Sequence, residues 1–257
     1  MVRELIDNMR KKGQLEGVEI DVDDGLPLPP GREEMDYHRG GDFYEYVSVA
    51  IAQRVRYYSE MGKYDAIVGT GDLDPGFFAA RIISKIPFTS GGHAALHIAS
   101  LIGDRTTFIG MGDKSSVIIR RCVRDYGFDH KVVTVRCPHP PSSEVVAHSY
   151  NLFARDYKKE ERHKVPEIKK AISDLTDQCI AAIEKDRVDS IILGPSIIAI
   201  FEDEVRQGLD KAGYSEIPII VALSAAVEMA KAMVNMKLTQ ARRAYPTSEL
   251  KAKPEFR

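Results

Sequence analysis

The sequence predicts an α/β protein of two pseudo-symmetric, Rossmann-like halves, each a parallel sheet covered by helices, with a cleft between them. Three observations lead there. Asp65-Ala66-Ile67-Val68-Gly69-Thr70-Gly71 is echoed by Asp189-Ser190-Ile191-Ile192-Leu193-Gly194-Pro195. Each copy is followed, one helix later, by Ile-Pro, at Ile86-Pro87 and Ile217-Pro218. Six residues past each proline a further echo begins, His93-Ala94-Ala95-Leu96-His97-Ile98-Ala99 in one half and Ser224-Ala225-Ala226-Val227-Glu228-Met229-Ala230 in the other. A chain that writes strand, loop, helix, strand and helix twice folds as two related units, and such units place a ligand beyond their facing strand ends. The expected domains are 1–100 plus 222–257, and 101–221.

Each element has its own reason. Residues 2–12 carry Leu5, Ile6 and Met9 on one side of a helix, and Gly13 stops it. Val18 to Val22 alternates apolar and acidic residues, the pattern of a half-buried strand. The segment from Gly25 to Gly31, rich in proline, reads as loop. Residues 41–61 are helical, with Val47, Ile51, Val55 and Tyr58 inward. Ala66 to Val68 is a short apolar strand covered on both faces. Asp74-Pro75-Gly76 opens a helix capped by Asp74, with Pro75 in its first turn and Phe78, Ile82 and Ile83 buried. Thr106 to Gly110 is a strand. Gly112 to Ser116 turns into a helix with the stripe Val117, Ile118, Cys122 and Val123, ending at Gly127. Lys131 to Val135 is another strand, residues 137–165 are irregular, and 167–185 form an amphipathic helix through Ile168, Ile172, Leu175, Cys179 and Ile183.

Composition narrows the function classes. The chain has 257 residues, 44% hydrophobic and 29% charged, ordinary for a globular protein. With 36 basic and 38 acidic residues the formal charge is −2, which gives no electrostatic ground for nucleic acid or an anionic membrane as partner. The three cysteines, Cys122, Cys137 and Cys179, show neither disulfide nor zinc spacing. No apolar run suits a signal peptide or a membrane span, so a cytoplasmic location is expected.

Four loops qualify for chemistry, at 69–76, 90–93, 110–116 and 194–198. Each offers small residues and helix-start N–H groups that suit an anionic oxygen. Thr70, Gly71, Asp74, Gly112, Lys114, Ser115, Ser116 and Pro195 are the candidate substrate-binding residues. Asp113 or Ser115 capping its own helix is an equal alternative at the third loop. The candidate catalytic residues are Asp72, His93 and Ser196. Asp72 is free to act as base or polar anchor, with a solvated loop aspartate as the alternative reading. His93 stands where Ser224 stands in the repeat, at a helix N-cap facing the cleft, with a structural histidine bonded to its own loop as the competing reading. His93 and His97 have metal-ligand spacing, but the sequence between them lacks a zinc protease's glutamate, and no metal or other cofactor is expected.

These residues carry a resemblance. Residues 64–81 (YDAIVGTGDLDPGFFAAR), 86–101 (IPFTSGGHAALHIASL), 189–198 (DSIILGPSII) and 217–233 make the chain similar to the aspartate/glutamate/hydantoin racemase superfamily, especially its hydantoin-racemase-like branch. The resemblance implies the racemase fold, and one cysteine per domain acting as acid and base on opposite faces of an acidic Cα–H. Those cysteines stand in Cys-Phe-x-Asp-Pro-Gly and Leu-Gly-Cys, and the matching positions here are Gly71 and Pro195. Neither can move a proton, so the two-thiol mechanism does not transfer. Family members also open on a strand and an Asn-Pro loop, whereas this chain opens on a helix. Either that strand is lost or the sequence starts inside a longer ancestral frame; a lost strand would leave a sheet edge for a subunit partner to cover, and a homo-oligomer is then expected. The expectation is an isomerase, lyase or hydrolase acting on a small carboxylate or cyclic amide by non-cysteine acid–base chemistry. The alternative is a catalytically silent ligand binder on the same fold. Nucleotide binding is disfavoured, because Gly76 is misplaced for a dinucleotide fingerprint and no Walker motif is present.

Overall fold

The first helix, α1 (Val2–Lys11), buries Leu5, Ile6 and Met9, the stripe its spacing predicts. Gly13 adopts φ 74°, and the Gln14 N–H reaches back to the Met9 carbonyl, closing the helix with a left-handed cap. The computed structural model describes residues 2–23, 41–70, 73–138 and 164–246, without the side chains of residues 41–43, 113 and 114. The loop expected at 25–31 and the irregular stretch from 139 to 163 lie outside the described residues.

Helix α2 (Gly41–Glu60) is followed by β1 (Ile67–Gly69), α3 (Phe77–Ile83), β2 (Phe88–Ser90) and α4 (Gly91–Ile102). The chain continues through β3 (Thr106–Ile109), α5 (Asp113–Asp125), β4 (Val132–Arg136) and α6 (Pro166–Asp186). The second copy of the repeat supplies β5 (Ser190–Leu193), α7 (Ser196–Ala199), α8 (Glu202–Lys211), β6 (Ile219–Val221) and α9 (Ala222–Asn235). The echo is therefore structural as well: His93 and Ser224 are each the third residue of their helix.

All strand pairs are parallel. β1 pairs with β2 in register Ile67↔Phe88, and a four-stranded sheet runs in the order β4-β3-β5-β6. Side-chain alternation assigns the faces of the larger sheet. Ile109, Ile191, Leu193 and Val221 enter one core with α1, α6 and α8, while Phe108, Ile192 and Ile220 enter a second with Ala94, Ala95 and Ala99 of α4 and Ile119 and Val123 of α5. The alanines of α4 meet Ala222, Ala225 and Ala226 of α9, so the two closing helices of the repeat lie side by side. Each also reaches the other copy's sheet: α9 packs on β1 and β2, and α4 on β5 and β6.

Four sequence expectations are corrected. Val18 to Val22 is not a strand; Val18, Ile20 and Val22 pack on the core while the intervening Asp21 pairs with Lys63 at 2.7 Å and Tyr64 at 3.0 Å. The alternation is satisfied by packing and ion pairing, without a strand ladder. Asp74 does not cap α3. That helix starts at Phe77 behind Gly76, which holds φ 72°. The later start turns Phe77 and Ala80 inward and leaves Phe78 49% exposed. In α5 the buried stripe is Ser115, Ile119, Cys122 and Val123, while Val117 is 68% exposed, because Ser115 faces back to the preceding loop and sets the phase. His93 is not an N-cap, since Ser90 holds that place on α4.

Candidate functional site

The carboxyl ends of β1 and β2 meet at Asp74. Its side chain is fully buried and its φ is 45°, a left-handed value that aspartate tolerates better than most residues. Oδ1 accepts the Gly92 N–H at 2.9 Å and Oδ2 the His93 N–H at 2.6 Å. Tyr126 Oη donates to Oδ2 at 3.1 Å, and Ser90 is a fourth donor. Asp74 thus closes the anion site at the start of α4 with the protein's own carboxylate. Burial lifts its carboxyl to about 6, against the four donors that favour the charged form.

The loop that carries Asp74 is fixed from two further sides. The Gly76 N–H donates to Ser48 Oγ of α2 at 2.9 Å, and Cys122 Sγ of α5 donates to the Leu73 carbonyl at 3.4 Å. Cys122 therefore reaches a loop of the first repeat copy from a helix that flanks the other sheet. Burial pushes its thiol up to about 12, with the Asp74 charge adding to the effect, so it stays protonated at neutral pH. Gly71 and Asp72 lie outside the described residues, and Thr70 is exposed at the end of β1.

His93 is half-buried among rings. Its ring lies 4.5 Å from Phe77 and 5.0 Å from Tyr126, and its Nε2 is 3.2 Å from His97 Nε2. Burial depresses its pKa to about 3, and His97 and Arg81 add to that depression. A ring so weakly basic is a poor proton acceptor at neutral pH.

These two groups give pH-dependent stability of opposite sign. Free histidine protonates near 6.5, so the stability from a neutral His93 is present above that value and is lost as pH falls toward about 3. Asp74 is raised from 3.8 to about 6, so its contribution is full at low pH and is lost as pH rises through 6. Urea unfolding between about pH 7 and pH 4 is expected to show a flatter acid decline in His93→Gln and a steeper one in Asp74→Asn than in the native chain.

At the other sheet, the loops after β3 and β5 are neighbours, as β3 and β5 pair directly. Ser115 Oγ accepts the Met111 and Gly112 N–H groups at 3.3 and 3.1 Å and donates to the Gly112 carbonyl at 2.8 Å. Its hydroxyl is therefore spent on the loop, which is the helix-start role rather than the ligand role. Ser116 is half-buried, Gly112 carries the turn, and the Lys114 side chain lies outside the described residues. Pro195 is buried at the end of β5, and Ser196 starts α7 half-exposed. Cys137 follows β4; a Cβ on Gly110 would sit 3.6 Å from its Sγ and 3.5 Å from Ser115 Oγ. Among the described residues no group of three or more His, Cys, Asp or Glu side chains could hold a metal, and no helix is long and apolar enough to cross a membrane.

Sequence reasoning missed Tyr126, Tyr44 and the reach of Cys122. Tyr126 and Tyr44 sit far along the chain from the repeat, and only the tertiary fold brings them to Asp74, Tyr44 Oη lying 3.4 Å from its carbonyl.

The fold matches solved racemases. An allantoin racemase from Pseudomonas fluorescens aligns over 93% of this chain and 91% of its own, with a TM-score of 0.67 at 20% identity. An allantoin racemase from Klebsiella pneumoniae aligns over 88% and 86%, with a TM-score of 0.65 at 19% identity. A glutamate racemase from Bacillus anthracis aligns over 82% and 71%, with a TM-score of 0.54 at 12% identity. No curated protein matches the chain by sequence. The Asp/Glu/Hydantoin racemase family model matches residues 1–230, and the chain belongs to that family.

Proposed function

We propose that this chain is a racemase-family enzyme that moves a proton on a small carboxylate or cyclic amide without thiols at the two family positions. The observation that carries the reading is the threefold pinning of residues 73–76, by Asp74 to α4, by the Leu73 carbonyl to α5 and by Gly76 to α2. A buried carboxylate is costly, and an ordered segment at residues 73–76 next to the family's first proton-carrier position is what supports the reading. Asp72 and Ser196 are the proton-handling or anchoring groups in this reading, and Pro195 and Thr70 shape the crevice between the domains 1–100 plus 222–257 and 101–221. Cyclic ureides are the first substrates to try, because allantoin is a substituted hydantoin and two of the structural neighbours are allantoin racemases.

Solvent deuterium exchange at the carbon acid of allantoin, 5-substituted hydantoins, aspartate and glutamate tests this. Exchange by the native chain is expected to fall by about 10²–10⁴ in Asp72→Ala, the range for loss of a general acid or base. Absence of exchange on all four would overturn the enzyme reading.

A second reading is a ligand binder that has lost turnover. It is favoured by Gly71 and Pro195, which cannot ionise, and by the neutral, shielded His93. Thermal stabilisation by the same compounds without exchange is its signature.

A further inference from the structure

We propose that Arg81, with the rings of Phe77 and Tyr245 and the His93–His97 pair, forms a binding site for a small oxyanion, a carboxylate or a phosphate. The proposal goes beyond the crevice reading and does not depend on turnover there.

Arg81 lies in the last turn of α3, half-buried, with its guanidinium 5.0 Å from the Phe77 ring centroid and 4.1 Å from that of Tyr245. Aromatic faces hold the cation but leave its N–H fork without an acceptor. Among the described residues Arg81 makes no hydrogen bond and no ion pair, and the Tyr245 hydroxyl makes no hydrogen bond. The other half-buried arginines are satisfied: Arg54 by Asp23, Arg136 by Asp186 and Gln178, Arg206 by three carbonyls, and Arg242 by the carbonyls of Ile82 and Ser84. The Arg242 contacts matter here, because they tie the tail that carries Tyr245 to the end of α3. The platform is thereby built from two separate parts of the chain.

A partly desolvated, unpaired cation is unfavourable until an anion meets it. Desolvation already lowers the Arg81 pKa, and its charge is close enough to depress His93 and His97 further. The same charge decides between two readings of the histidine pair. Their nitrogens, 3.2 Å apart, are spaced for a shared metal, yet a divalent cation would face an uncompensated guanidinium beside it. An oxyanion would be attracted by Arg81 and could accept from it bidentately. His97 and Tyr245 are half-exposed, which leaves the site open to a small ligand.

Acetate, succinate and inorganic phosphate are the probes, titrated by calorimetry and thermal shift into the native chain, Arg81→Gln, Arg81→Lys and Tyr245→Phe. The native chain is expected to bind at least one, with the preferred anion separating carboxylate from phosphate recognition. Arg81→Gln is expected to weaken binding on the order of tenfold or more, Arg81→Lys to recover it only in part, and Tyr245→Phe to keep most of it. Arg81→Gln is also expected to match or exceed the native melting temperature without anion, a result a purely structural arginine would not give. Anion binding that is equal in the native chain and Arg81→Gln, or absent from the native chain, overturns the proposal. So does sedimentation showing Arg81-dependent self-association with no anion response, which would assign the guanidinium to a carboxylate of a second copy. Loss of turnover with anion binding intact would sink the crevice reading alone.

Discussion

Asp74→Ala is expected to cost the folded state about 3–5 kcal/mol in urea denaturation, the largest single-residue loss outside the hydrophobic cores. The substitution strands the N–H groups of Gly92 and His93 and the Tyr126 hydroxyl, all of which point at one carboxylate. It also puts a residue less tolerant of left-handed backbone at φ 45°. The first turn of α4 loses its counter-charge at the same time. Asp74→Asn keeps one carbonyl acceptor and the backbone tolerance, so about half the loss is expected. Equal stability of Asp74→Ala and the native chain would mean the carboxylate does not organise the loop.

Gly76→Ala is expected to cost about 2–4 kcal/mol by the same measurement. Two terms add. The residue sits at φ 72°, where an L side chain is strained. A Cβ there would also meet the Ser48 carbonyl oxygen at 2.5 Å, and that atom is helix backbone that cannot swing aside. Ser48→Ala separates the contributions, since it removes only the hydroxyl that accepts the Gly76 N–H at 2.9 Å, and should cost about 1 kcal/mol. A native-like melting curve for Gly76→Ala would show that the loop has room to rearrange.

The repeat made the architecture legible. Short apolar strands after Asp65 and Asp189, each followed by a helix and Ile-Pro, have few parallel alternatives, and β1, β2, β5 and β6 lie where the echoes fall. Helix phase was harder to read. On α3 the apolar candidates Phe77, Phe78, Ala80, Ile82 and Ile83 wrap most of the way round, and only the left-handed Gly76 decides which edge turns in. Site chemistry was least legible. Asp74 before a proline reads as a local cap, yet its partners are on α4 and at Tyr126, far along the chain. Local grammar cannot distinguish a cap on the next helix from a cap on the one after it. Ser115 was readable in type, because a serine at the third helix position satisfies its own loop.

The shared alanine seam between α4 and α9 bears on how the molecule can be divided. Each of these helices roofs strands contributed by the opposite repeat copy. A fragment cut between the copies would keep its strands but lose part of their cover, and fresh alanine and isoleucine surface would face water. Two such pieces, expressed separately, are expected to be aggregation-prone alone and to re-form a native-like particle when mixed. Recovery of soluble, folded single pieces would show that each repeat copy buries its own strands without the other.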